Sequence, residues 1–187
     1  MSRLAASRKE VEESAHEWGK EATVLEGANA RRDLFLEELS HGPWDTIHLA
    51  THVLSSNTQL DHVFLAFSLD SDGQPELMPV EEVAMLQVPG SMVVMTGCAS
   101  GTGEVRGGPG LQGLTSAWLL AGAGTVVSTR WPIPDSEGDL LPLFYRNLKH
   151  TRAAEALQRS QVETIHSGTW RAAPAYWAAF QITGGSR

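Results

Sequence analysis

The stretch Met92-Val-Val-Met-Thr-Gly-Cys-Ala-Ser-Gly-Thr102 constrains this chain more than any other. A short apolar run that stops at glycine suits a strand buried on both faces, as in a parallel sheet. Ligands and reacting groups of open α/β sheets collect just beyond the carboxyl ends of such strands. Cys98, the only cysteine, stands at that place. Two readings are open for it: a nucleophile, or a small buried hydrophobe like many free cysteines.

The 187 residues suit one domain with a substantial core. A net charge of −8 argues against general nucleic-acid binding and against adhesion to acidic lipid. A single cysteine excludes an internal disulfide framework and fits a reducing compartment, so a cytoplasmic location is expected. No run approaches the ~18 apolar residues of a membrane span, and the N-terminus has no apolar signal-peptide core.

Leu4, Val11, Ala15 and Trp18 mark an amphipathic helix over residues 3–18, closed by Gly19. Ala22 to Leu25 reads as a short strand, and Asn29 as the cap of a helix over residues 30–40. Gly42-Pro43 is a turn. Thr46 to Thr51 reads as a strand ending at His52, and residues 53–61 as loop. Val63–Phe67 and Glu76–Met78 form a hairpin around Asp70 to Gly73. Pro79 opens a short helix through Leu86. The strand leading to Cys98 follows, then a glycine-rich loop from Gly101 to Gly110. Leu111–Ala121 is helical, Thr125–Thr129 a strand, and Trp131 to Asp135 a loop stiffened by two prolines. Ser136 or Asp139 precedes a helix on Leu140, Leu143, Phe144 and Leu148. Thr151 caps a helix over residues 152–165, and Trp177 to Ile182 is a last strand. This alternation implies a mainly parallel sheet with helices on both faces.

His52 and Cys98 each follow a strand of that sheet, 46 positions apart. If the strands are neighbours, both side chains reach one rim. A thiol with a free pKa near ~8.5 gains from a histidine that takes or shares its proton. His52 can also be a solvated strand-end histidine, and His41, His48 and His62 compete with it. His48 and His52 lack the partners of a metal motif. Gly108-Pro-Gly110-Leu-Gln-Gly113 spells a dinucleotide fingerprint, with Asp135 22 positions later. It does not follow its strand directly, as that fingerprint must. Trp118 and Trp177 read as packing residues. Trp131, held by Pro132, can wall a pocket at the rim of Cys98. Asp135 can place a carboxylate in that pocket, or serve as an acid at a helix N-terminus.

Several ordered blocks carry a resemblance. They are Ile47-His-Leu-Ala-Thr-His52, Thr96-Gly-Cys-Ala-Ser-Gly101, Gly113 to Ala123, Val126-Val-Ser-Thr-Arg-Trp-Pro-Ile-Pro-Asp135, Leu143-Phe-Tyr145, Ala154-Glu-Ala-Leu157 and Trp177-Ala-Ala-Phe180. The series resembles the CHAT domain, a caspase-like cysteine peptidase family of the caspase and separase clan. The match runs from about residue 4 to 184 and treats residues 1–187 as one domain.

The resemblance implies a caspase-hemoglobinase-like three-layer αβα sandwich with a mainly parallel sheet, and hydrolysis of a peptide bond in a protein substrate. Its catalytic dyad falls on His52 and Cys98. Its oxyanion donors fall on the backbone N–H groups of Val53 and Cys98. Its substrate-binding block falls on Trp131 and Asp135, with arginine as the residue selected in separase-like members. It implies no metal or cofactor. It places such domains in bacterial regulated proteolysis or defence, with an upstream sensor module or a gasdermin-like effector as partner. Two departures stand out. The family's usual glycine after the histidine is here Val53, and valine tolerates positive φ poorly. The segment from Leu4 to Val11 looks like the one after the family's first core strand, so the sheet is expected to lack that strand. A catalytically degenerate domain acting as a scaffold is the alternative to the enzyme, and a nucleotide-binding α/β domain is a third reading.

Overall fold

The structure, a computed structural model, describes residues 7–19, 21–55, 63–70, 72–96, 109–131, 133 and 140–185. Its centre is a four-stranded sheet in the order β1 (Thr46–Leu49), β5 (Met92–Met95), β6 (Thr125–Thr129), β7 (Phe180–Gly184). The first three run parallel, and β7 is antiparallel to β6. All residues of β5 and β6 are buried, which explains why both read as unbroken β-formers rather than as alternating strands.

Period-2 alternation sends side chains to two cores. Ile47, Leu49, Val93, Met95 and Val126 face one side. There they meet α2 (Arg32–Ser40), α3 (Val80–Val83) and α4 (Pro109–Leu120), with Phe35, Val83 and Trp118 as anchors. Met92, Val94 and Val127 face the other side. There they meet α5 (Leu140–Leu148) and α6 (Ala153–Ile165) through Phe144, Tyr145 and Leu157, with Trp18 of α1 (Ser7–Trp18) packed alongside. Trp118 and Phe144 are fully buried; side chains of this kind contribute about 1.5–3 kcal/mol each. The result is the αβα sandwich with a mainly parallel sheet that the blocks implied.

A second, antiparallel sheet of β2 (Val53–Ser55), β3 (Val63–Leu69) and β4 (Pro75–Pro79) follows directly on β1. The β3–β4 turn forms as its sequence demands. Asp70 Oδ1 accepts the N–H groups of Asp72 and Gln74, both at 2.9 Å, and Gly73 takes φ 75°.

Several local expectations change. Ala22–Leu25 is not a strand: it has no hydrogen-bonded neighbour among the described residues, and a lone apolar run cannot form a ladder. Asn29 ends a 3₁₀ turn instead of capping α2, whose N-cap is Arg31. The loop reading of residues 53–61 misses β2, which exists only because β3 returns beside it. The helix after Pro79 stops at Val83. Thr151 does not cap α6; its hydroxyl donates to the Asn147 carbonyl at the end of α5. Trp177 closes the short helix α7 (Pro174–Trp177), and the last strand begins at Phe180. Proline at the first position of α7 starts that helix.

Candidate active site

The carboxyl rim of the parallel strands is built by register. Leu49 pairs with Met95, and Val94 with Val127. Counting along the chain, position 52 lies three residues past Leu49 and position 98 three past Met95. Position 131 lies four residues past Val127, as position 98 does past Val94. In residue count alone, positions 52, 98 and 131 therefore follow matching register positions of three adjacent parallel strands. Cys98 and Asp135 themselves, with residues 101–108 of the expected glycine-rich loop and with Ser136 and Asp139, lie outside the described residues, whereas Pro109 and Gly110 already belong to α4.

His52 is buried, 4% exposed, where the chain leaves β1 and turns into β2. β1 ends at Leu49, two residues earlier than the apolar pattern suggests. The bend at Thr51 is held by its hydroxyl, which donates to the Ala66 carbonyl. The His52 carbonyl accepts the Ala66 N–H at 3.0 Å. That bond makes His52–Ala66 a hydrogen-bonded pair of the antiparallel ladder. The next pair, Val53–Leu65, is then of the non-bonded kind. The Val53 N–H consequently points away from β3, and among the described residues it has no backbone partner. No non-glycine residue described has a positive φ, so Val53 occupies an ordinary β conformation. The steric objection to valine at this place does not arise.

On the other flank of β5, Trp131 is half-buried against the α5–α6 core. Its indole N–H donates to the Ala175 carbonyl at 2.8 Å, which fixes the plane of the ring. Arg130 is fixed as well, by its backbone N–H to Ala179 and its Nε to Gln181 Oε1. Trp118 is wholly buried, and Trp177 is half-buried with its N–H on the Ala172 carbonyl. Both are packing residues, as their apolar contexts implied.

His48 is set back within β1 and faces α1 and α5. Its Nε2 lies 3.4 Å from Glu10, and its ring lies 5.6 Å from that of Tyr145. Thr96, one residue past β5, donates its hydroxyl to Glu10 at 2.5 Å. This link between the start of α1 and the end of the Cys98 strand joins residues 86 positions apart and had no signal in the sequence. Burial pushes the Tyr145 phenol far above its usual range, and the nearby Glu10 carboxylate adds to the shift. Among the described residues no group of three His, Cys, Asp or Glu side chains could hold a metal ion, and no helix is long and apolar enough to cross a membrane.

The family model described as "CHAT domain" matches residues 1–185, nearly the whole chain. The human protein "Tetratricopeptide repeat protein 28" is 29% identical over 112 residues, which is 59% of this chain and 4% of that protein. Its mouse counterpart is 28% identical over 109 residues, 58% of this chain and 4% of the relative. The chain thus matches a small part of these much longer relatives.

Proposed function

The chain belongs to the CHAT-domain family, and from that premise we propose that it is a cysteine endopeptidase acting on a protein or peptide substrate. The observation that carries the proposal is the hydrogen-bonded, parallel, in-register pairing of β1 with β5. It brings the exits of the two chain segments bearing His52 and Cys98 to one rim.

The His52 imidazole takes the proton of the Cys98 thiol. The thiolate attacks the scissile carbonyl carbon and forms an S–C bond. The tetrahedral oxyanion is held by the N–H groups of Val53 and Cys98. His52 returns the proton to the leaving amine as the C–N bond breaks. Water, deprotonated by His52, then cleaves the thioester and regenerates the thiol. A donor of the Val53 kind contributes about 2.7–4 kcal/mol to the transition state. Trp131, its ring fixed by Ala175, forms one wall of the pocket for the residue before the cleaved bond. Asp135 gives that pocket a carboxylate for an arginine side chain, a charge-assisted, bidentate match.

The test compares the purified chain with Cys98→Ala and His52→Ala on arginine-ended fluorogenic peptides, alongside a peptide-based thiol-reactive probe. Cleavage lost in both variants, with probe labelling of Cys98 that needs His52, supports the enzyme. A folded chain with neither cleavage over a broad peptide library nor His52-dependent labelling supports the scaffold instead.

A further inference from the structure

The glutamates of α1 are not alike. The side chains of Glu12 and Glu13 are 52% and 42% exposed and pair with Arg8 and Lys9 on the same helix. That of Glu10 is 15% exposed and faces the sheet. Its Oε1 accepts the Thr96 hydroxyl at 2.5 Å and lies 3.4 Å from His48 Nε2. One carboxylate oxygen therefore meets both β1 and the chain just past β5. A carboxylate this far from solvent loses hydration, which hydrogen bonds must replace. The Thr96 contact has the short length of a charge-assisted O–H···O bond.

Docking of α1 does not depend on this bond alone. At the other end of the helix, Trp18 packs edge-on against Tyr145 at 5.9 Å, and Glu17 pairs with Lys149 at 3.5 Å. The Glu10 bond reaches instead to the exit of β5. Thr96 is held there from two sides. Its N–H donates to the Leu49 carbonyl at the end of β1, 3.0 Å, and its hydroxyl to Glu10. The His48 ring, backed by Tyr145 at 5.6 Å, stands on the β1 side of the same carboxylate. Only Gly97 separates Thr96 from Cys98 in the chain. Two residues reach at most about 7 Å, so the anchor at Thr96 limits where position 98 can stand.

We infer that Glu10 is a positioning residue for Cys98. By holding the Thr96 hydroxyl it fixes the start of the segment that presents the thiol, while His48 seats the carboxylate from β1. The inference rests on the reading of Cys98 as the nucleophile. Glu10 acts through Thr96 and not on the substrate. Such an anchor matters because a reacting group displaced by 1 Å can lose on the order of 100-fold in rate.

The experiment compares the parent chain with Glu10→Ala, Thr96→Val and the double variant. It measures kcat and KM on arginine-ended peptides, and the rate at which iodoacetamide alkylates Cys98, the only cysteine. Glu13→Ala, on the exposed side of α1, is the control, and thermal melts show that each protein is folded at the assay temperature. Glu10→Ala and Thr96→Val each lower kcat by about tenfold or more and leave KM within about twofold, because a displaced nucleophile weakens the transition state and not substrate binding. The double variant loses no more than either single one, since both remove the same bond. Thr96→Ser and Glu10→Gln, which keep the donor and the acceptor, recover most of the loss. Should Glu10→Ala fail to fold, Thr96→Val against Thr96→Ser decides. Four results overturn the inference: kcat unchanged in Thr96→Val, a loss in KM alone, additive losses in the double variant, or equal losses in Thr96→Val and Thr96→Ser. A parent chain that cleaves nothing, with alkylation indifferent to His52→Ala, overturns the peptidase reading instead. Alkylation then decides the positioning role. A change of rate shared by Glu10→Ala and Thr96→Val and reversed by Thr96→Ser supports it, and an unchanged rate overturns it.

Discussion

Val53→Gly separates two views of the oxyanion donor. In one view the valine holds the backbone in the wrong conformation, and glycine raises activity. The structure argues otherwise: Val53 has no positive φ, and its N–H already points away from β3. Glycine then has no conformational defect to repair and only removes packing. Val53 is 6% exposed and belongs to the core that contains Ile47, Leu65 and Met78. Losing a buried valine side chain costs about 1.5–3 kcal/mol, and glycine within a strand adds roughly 0.5–1 kcal/mol. The sum is about 2–4 kcal/mol. For a domain of this size each kcal/mol shifts Tm by about 2–4 °C, so the melting point falls by roughly 4–16 °C. Thermal melts followed by circular dichroism measure this. Hydrolysis of arginine-ended peptides, at a temperature where both proteins are folded, measures kcat/KM. We expect kcat/KM to stay within about threefold of the parent, equivalent to ~0.7 kcal/mol. A rise of tenfold or more would refute the reasoning from backbone geometry, and an unchanged Tm would refute the burial argument.

Two further outcomes follow from particular residues. Above pH ~10 an unfolded chain loses the Tyr145 proton while the folded chain keeps it, because burial raises that phenol. The unfolded state then binds fewer protons, so stability falls with rising pH by about 1.4 kcal/mol per unit. Tyr145→Phe removes this alkaline arm in urea titrations between pH 9 and 11. It also removes a hydroxyl that has no hydrogen-bond partner among the described residues, so stability at pH 7 changes by less than about 1 kcal/mol. Gly184 has φ 109°, and a Cβ there would lie 2.6 Å from the Gly124 carbonyl oxygen. Gly184→Ala destabilises by roughly 1–3 kcal/mol and releases the Thr125–Gly184 pairing, read as faster amide exchange at the end of β7.

What could be read along the chain was whatever its own residues decide locally. β5 and β6 were legible because burial on both faces demands an unbroken run of apolar or β-forming residues. α5 and the Asp70–Gly73 turn were legible because helical spacing and an Asx acceptor act within a few positions. The order of the blocks around His52 and Cys98 was enough to identify the family. Partnership was a different matter. Ala22–Leu25 has the composition of a strand and lies as coil, whereas Val53–Ser55 was read as loop and forms a ladder. Each outcome depends on what runs alongside, and hydrogen bonds between strands join residues far apart in sequence. The Glu10–Thr96 bond belongs to the same class. Only the tertiary structure decided that β1 and β5 are neighbours in register, which brings the segments carrying His52 and Cys98 to one rim.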